Sequence, residues 1–365
     1  MRFPEFRGEW EKFRNDSLFN VVSEKNKGKQ ITSVLSASQT DGMVSRDSLG
    51  IDIKFEEDSI KNYKIVHEGD YVIHLRSFQG GFAFSDRVGV CSPAYTILRP
   101  TQQISYGFLK PFFMSNKFID SLRLVTYGIR DGKSISVEEW LKLNTNLPSV
   151  EEQKKISIFL SLLDDRIATQ IKIIEDLKKL KSAISNKYLY DKSWPKYKIS
   201  EIASLGRGRV ISSKEISLQQ NPRYPVYSSQ TSNNGVMGYL DIYDFDGEYI
   251  TWTTDGANAG TVFYRNGQFN CTNVCGTIKV RESFDAYFLS TILQTATARY
   301  VSTNLANPKL MNNTMASIVV RIPDIKIQKY WSSILRKMEE KLSVEATILL
   351  ALQQQKQYLL AQMFI

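Results

Sequence analysis

A chain of 365 residues, 42% hydrophobic and 23% charged, is long enough for two to three domains with their own cores, and no apolar run approaches the ~20 residues needed to cross a bilayer. The net charge of +9 suits a polyanionic partner, because lysines and arginines that neutralise phosphates release counterions; a solvated surface that favours solubility is the plain alternative. Cys91, Cys271 and Cys275 are odd in number and fit reduced thiols better than a disulfide framework, and Met1 to Trp10 lacks the apolar stretch of a secretory signal, so the chain reads as cytoplasmic.

Residues 1–146 carry short runs rich in Val, Ile, Tyr and Phe, such as Tyr71-Val72-Ile73-His74-Leu75, punctuated by glycine turns like Gly80-Gly81, and these predict strands. Between 105 and 125 the apolar spacing turns helical, with Pro111 marking a break or a helix start. The polar, turn-rich stretches hold Ser38, Gln39 and Thr40, then Arg76, Ser77 and Gln79, then Tyr127, Arg130 and Lys133. Side chains of these types pair with base edges in the major groove or with phosphate oxygens, and they are candidate DNA contacts.

A long helix is predicted within 147–192. Apolar residues at 156, 160, 163, 167, 174, 177, 184 and 188 step by threes and fours once Gln170 and Lys181 fill two polar layers, which is a coiled-coil seam. Pro148 stands at its start and Glu151-Glu152 suit the positive end of the helix dipole. At ~1.5 Å per residue, a helix of about 39 residues is roughly 58 Å long, more than one compact domain needs.

Residues 193–321 repeat the order of the first half. Gly247-Glu248-Tyr249-Ile250 echoes Gly69-Asp70-Tyr71-Val72, and Thr277-Ile278 echoes Thr96-Ile97. The candidate DNA contacts here are Ser228, Ser229, Gln230, Thr231, Asn233 and Asn234; Thr253, Thr254 and Asn258; and Asn307 and Lys309. Asn, Ser, Asp and Gly are also the commonest turn formers, so the expectation concerns the loops as a set.

The second long helix, within 322–365, copies the first. Pro148 falls on Pro323, Gln153 on Gln328, Leu160 on Leu335, Ile167 on Leu342 and Lys181 on Lys356, all at an offset of 175, whereas the offset drifts between 178 and 181 in the globular parts. A fixed framework with loops of varying length behaves this way. The expected fold is α+β: two similar mixed α/β domains, separated and bridged by two long helices that form an antiparallel coiled coil with a pseudo-twofold repeat. Two helices packed separately on their own domains are the simpler alternative.

Catalytic material is sparse. No Gly-x-x-x-x-Gly-Lys-Ser/Thr loop is present, and Gly206-Arg207-Gly208 is too short to be a nucleotide fingerprint. Asn221-Pro222-Arg223-Tyr224 departs at its third position from the Asn-Pro-Pro-Tyr motif of amino-methyltransferases. Pro323-Asp324 with Glu339-Glu340-Lys341 matches a loose nuclease pattern, but it lies in the repeated helix and reads as chance. His67 and His74 are the only histidines, and Cys271-x-x-x-Cys275 has no second pair, so no metal site is expected. The chain reads as one that binds rather than catalyses.

Leu147-Pro148-Ser149-Val150-Glu151-Glu152-Gln153-Lys154-Lys155-Ile156, followed by Phe159-Leu160, Asp164, Ile167, Gln170 and Lys178-Lys179-Leu180-Lys181, resembles the conserved region of type I restriction-modification specificity subunits. Arg2-Phe3-Pro4-Glu5-Phe6 with Glu9-Trp10, Tyr224 to Gln230, and Thr251 to Gly256 are similar to the same family, so the resemblance covers essentially the whole chain. The second conserved copy departs from the first, with Asp324 for Ser149 and Lys326-Ile327 for Glu151-Glu152. The resemblance implies target-recognition domains at 1–146 and 193–321 that read the two halves of a split double-stranded DNA target, and spacer helices at 147–192 and 322–365. Two modification (methyltransferase) subunits would dock on the conserved copies, where Pro148, Glu151, Gln153, Pro323 and Gln328 are the partner-binding candidates. Those partners would carry S-adenosylmethionine and methylate adenine; restriction (motor-nuclease) subunits would add ATP- and Mg-dependent cleavage. This chain would hold no cofactor, metal or catalytic residue. A coiled-coil adaptor that assembles proteins is the competing reading.

Overall fold

The computed structural model describes residues 2–28, 31–38, 41–46, 57–74, 81–127, 134–189, 191–302 and 307–364. In the first half, β1 (Phe19–Val22), β2 (Tyr71–Ile73), β3 (Phe82–Phe84) and β4 (Thr96–Pro100) pair antiparallel in the order β1-β4-β2-β3. Helix α1 (Leu109–Phe113) follows, with Pro111 in its first turn, where an N–H would have no intrahelical partner in any case. The break comes four residues after Pro111, at Ser115, whose hydroxyl accepts from Phe118 N at 3.2 Å and starts a separate short helix, Asn116–Ser121. The first long helix is α2 (Val150–Tyr188).

The second half repeats this order. β5 (Ala203–Arg207), β6 (Tyr249–Thr253), β7 (Val262–Arg265) and β8 (Cys275–Val280) form a sheet in the order β5-β8-β6-β7, again antiparallel throughout. Gly69 and Gly247, one in each half, both take φ of +93° in the turn before the second strand, a backbone state that glycine enters without steric cost. Helix α3 (Ala286–Ala296) packs on the sheet, and the second long helix, α4 (Ile325–Met363), closes the chain.

The contacts divide the chain into two units, Met1–Ile171 with Ile348–Ile365, and Lys172–Thr347. The two long helices each contribute to both. In unit 1 an aromatic core gathers Phe19, Tyr71, Phe82, Phe113, Phe118 and Trp140, with Phe82 centred 4.9 Å from Phe113 and 5.0 Å from Trp140. Ile156, Leu160 and Leu163 of α2 and Leu352, Leu359 and Met363 of α4 are buried in the same cluster, so seam residues of both helices enter this core. In unit 2, Ile250, Trp252, Ile278, Phe288, Leu289 and Leu293 form the core, with Ile184 of α2 and Leu335, Trp331 and Met338 of α4 packed on it.

Partners of α2 in α4 fall from Lys356 to Glu339 as residue numbers rise from Asp164 to Lys181, the descending register of an antiparallel pair. The polar layers differ in their use. Gln170 and Glu345 are buried, whereas the ammonium groups of Lys181 and Lys356 reach carboxylates on the facing helix. Among the described residues no helix is long and apolar enough to cross a membrane.

Candidate nucleic-acid interface

In unit 2 three loops expected to face DNA are tied into one cluster. The first, 228–235, joins the antiparallel strands Tyr224–Tyr227 and Val236–Leu240 and is closed by Ser228 N donating to Gly235 O at 2.9 Å. Asn258 of the second loop donates through Nδ2 to Ser229 O at 3.2 Å, and Gly256 N donates to Pro308 O of the third at 3.1 Å. Asp255 accepts a hydrogen bond from Asn307 and lies 4.0 Å from the Lys309 ammonium. Trp252 Nε1 donates to Leu310 O at 2.8 Å, anchoring the third loop to the sheet.

Exposure separates the candidates. Thr231, Asn233, Asn234 and Asn307 are exposed, and Ser228, Ser229, Gln230, Asn258 and Lys309 are partly so. Thr253 and Thr254, expected among the contacts, are 1% and 0% exposed. The Thr254 hydroxyl donates to Val274 O at 3.0 Å and accepts from Arg207 Nη2 at 3.0 Å, and β6 runs through Thr253. This changes their expected role: they build the floor of the cluster and have no surface to offer a base.

In unit 1, Ser38 closes the hairpin of Leu35–Ser38 with Gly42–Ser45, its hydroxyl donating to Asp41 Oδ2 at 2.9 Å. Tyr127 is exposed and pairs with Ser134 in a two-residue ladder. Gln39, Thr40, Arg76, Ser77, Gln79, Arg130 and Lys133 lie outside the described residues.

The two helix junctions share one construction. Ser149 caps α2 by accepting from Glu152 N at 3.3 Å, and Asp324 caps α4 by accepting from Lys326 N at 2.9 Å and Ile327 N at 3.3 Å. The serine-to-aspartate change therefore keeps the cap, and the Asp324 carboxylate of the loose nuclease pattern is taken up in it. Gln153 Oε1 accepts from Ser105 N at 2.8 Å while Nε2 donates to Pro148 O at 3.0 Å and Gln103 O at 2.8 Å. Gln328 does the same with Asp285 N at 2.8 Å and Pro323 O at 2.8 Å. Pro148, Gln153, Pro323 and Gln328 are all buried, and Glu151 alone of the expected partner contacts is exposed. This changes the expectation for those four: the two glutamine side chains, bonded to the proline carbonyls and to backbone N–H groups of the globular part, hold each helix start in place.

Sequence reasoning passed over several residues. Arg2 pairs bidentately with the fully buried Glu152, Nη2 to Oε2 at 2.6 Å and Nε to Oε1 at 2.7 Å, so the N-terminal segment is clamped to α2. Arg265, at the end of β7, lies inside unit 2 beneath the first loop. A lone arginine ending a strand of Val262-Phe263-Tyr264 was the signal for it. Burial pushes the Cys91 thiol up to about 12 and the Cys275 thiol up to about 11, so both are inert neutral groups at ordinary pH. Among the described residues no group of three or more His, Cys, Asp or Glu side chains is arranged to hold a metal ion.

The family model described as type I restriction modification DNA specificity domain matches twice, over residues 7–179 and 191–354. The putative type I specificity subunit S.MpnORF289P N-terminus of Mycoplasma pneumoniae is 48% identical over 141 residues, covering 38% of this chain and 74% of that protein. Two other proteins of that organism are each 40% identical. Putative type I specificity subunit S.MpnORF507P matches over 163 residues, 44% of each chain, and the type I restriction enzyme MpnII specificity subunit over 146 residues, 40% of this chain and 43% of its own. The match thus spans under half the length of these last two relatives. The fold is that of the S subunit of a type I restriction-modification system from M. genitalium, with a TM-score of 0.67 at 16% identity, covering 100% of this chain and 99% of that one. With both halves matched by the same domain and the whole fold shared, the chain belongs to the type I restriction modification DNA specificity family.

Proposed function

We propose that this chain is the address-reading subunit of a type I restriction-modification complex: unit 1 and unit 2 each read one half of a split duplex target, and the long helices set the gap. The duplicated specificity domain, with a tied loop cluster in unit 2, carries this reading. Exposed amides such as Asn233, Asn234 and Asn307 suit adenine N6 and N7, and Lys309 suits phosphate. Ser38 and Tyr127 would serve unit 1, with Gln39, Thr40, Arg76, Ser77, Gln79, Arg130 and Lys133 proposed from the sequence alone.

Two modification subunits would dock against the helix junctions through the exposed side around Glu151, with Pro148, Gln153, Pro323 and Gln328 fixing that surface from behind. S-adenosylmethionine would sit in those subunits, ATP and Mg in the restriction subunits, and none in this chain, which would supply no catalytic residue. The complex would act in the cytoplasm. Net charge of +9 favours duplex DNA over a purely protein-assembling adaptor, but charge alone also produces unselective binding. The deciding experiment is protection of duplex DNA by the chain assembled with its modification subunits, followed by mapping of methylated adenines. Protection confined to a two-part motif supports the reading; uniform protection of random duplex, or none, rejects it.

A further inference from the structure

Arg265 is 4% exposed, and among the described residues no carboxylate pairs with it. Its guanidinium carbon sits 3.5 Å from the centroid of the Tyr227 ring and 4.4 Å from that of Phe263, so the charge is held by two aromatic faces. Nε donates to Thr251 Oγ1 at 3.2 Å and Nη2 donates to Asn234 O at 2.9 Å. The last bond reaches the tip of the 228–235 loop from below.

That tip is unusual. Asn233 (φ 47°, ψ 41°), Asn234 (φ 52°, ψ 29°) and Gly235 (φ 83°) are three consecutive left-handed residues, and the two asparagines are the only non-glycine residues with positive φ among the described residues. Such a run persists only where the surroundings over-determine it. Three contacts do so: Ser228 N on Gly235 O, Asn258 Nδ2 on Ser229 O, and Arg265 on Asn234 O. Gly235 has little room for a side chain, since a Cβ there would lie 3.1 Å from Arg265 Nη2. Burying an unpaired guanidinium is costly, and an apolar residue would fill the same space between the two rings more cheaply. The fork is what an apolar residue lacks, for it binds a ring face, a hydroxyl and a carbonyl together.

We propose that Arg265 is a positioning residue for DNA selectivity in unit 2: it locks the left-handed Asn233-Asn234 turn so that the two exposed amides meet base edges in one fixed orientation. This rests on the reading of the 228–235 loop as a DNA contact. Arg265 touches no base; it acts through Asn234.

The test uses the full chain assembled with its modification subunits, and reads methylated adenines across a library of targets varied in each half-site. Two variants are compared with the parent. R265K keeps the charge and loses the fork, while N233G/N234G keeps the left-handed backbone and loses the amides. Both are expected to relax the same half-site, raising methylation of targets mismatched there about ten-fold, with the other half-site unchanged. A merely structural role would lower yield or melting temperature and leave the motif intact. An unchanged motif in R265K overturns the role of Arg265, and if N233G/N234G still relaxes the half-site the loop reading survives. An unchanged motif in N233G/N234G overturns the loop reading, and this proposal with it. Should R265K fail to assemble, Tyr227→Leu removes one wall of the sandwich and carries the same two outcomes.

Discussion

Gln153 and Gln328, 175 residues apart, make the same clip: each side-chain amide donates to the carbonyl of the proline five residues earlier and accepts a backbone N–H from the globular part of its own unit. Removing either side chain strands buried polar groups, at a cost of about 1–3 kcal/mol each. Gln153→Leu and Gln328→Leu are expected to lower stability by about 2–4 kcal/mol, read as a shift in the urea midpoint, whereas Glu151→Gln on the exposed face stays within about 0.5 kcal/mol. Equal midpoints for all three variants would remove the clip from the account.

The ion pairs Asp164–Lys356 and Lys181–Glu339 are likewise equivalent under the 175-residue offset, each joining α2 to α4. Partly exposed pairs contribute about 0–1 kcal/mol, so Glu339→Gln is expected to cost little stability, while adding Lys341→Gln costs more because Lys341 pairs with the buried Glu345 carboxylate. Cleavage by the assembled complex should be nearly unchanged. Complete loss of cleavage with methylation retained would instead revive the nuclease pattern.

Raised thiol pKa values have a definite pH signature. Folded Cys275 and Cys91 keep their protons up to about 11 and about 12, while unfolded thiols ionise near 9.0. Between these limits the unfolded state binds fewer protons, so this contribution to stability is constant below pH 9 and falls as pH rises above it. A melting series from pH 7 to 11 should show the added fall, and Cys91→Ala with Cys275→Ala should reduce it. A thiol reagent at pH 8 should label the native chain slowly and the urea-unfolded chain at three sites.

Modularity is tested by exchange. Replacing residues 1–146 with the matching region of a relative is expected to change one half of the methylated motif and leave the other intact. A folded, assembled chimaera that loses both halves would contradict independent readers.

The helical repeat was legible because two features survive in one dimension: prolines marking the starts and a three-and-four seam with matched polar layers. What Gln153 does was not legible, since a polar residue near a helix start reads as surface until its long-range partner, Ser105 N, is known. Thr253-Thr254-Asp255-Gly256 reads as a turn, yet the strand continues through Thr253 and buries both threonines. For Arg265 the sequence shows only a charge at the end of an apolar strand, and the rings that enclose it, Tyr227 and Phe263, come together only in the fold. The clamp of Arg2 on Glu152 spans 150 residues and has no local pattern at all.

The most direct measurement concerns the helices as the element that sets the gap. Four residues inserted after Ile171 and four after Thr347, the limits of the two units, lengthen each helix by ~6 Å and turn it about 40° past a full turn. That length is close to two base-pair steps of ~3.4 Å. With modification subunits present, the mapped motif is expected to keep both half-site sequences and gain one or two base pairs in the central gap. An unchanged gap, with the variant folded and active, would contradict the account.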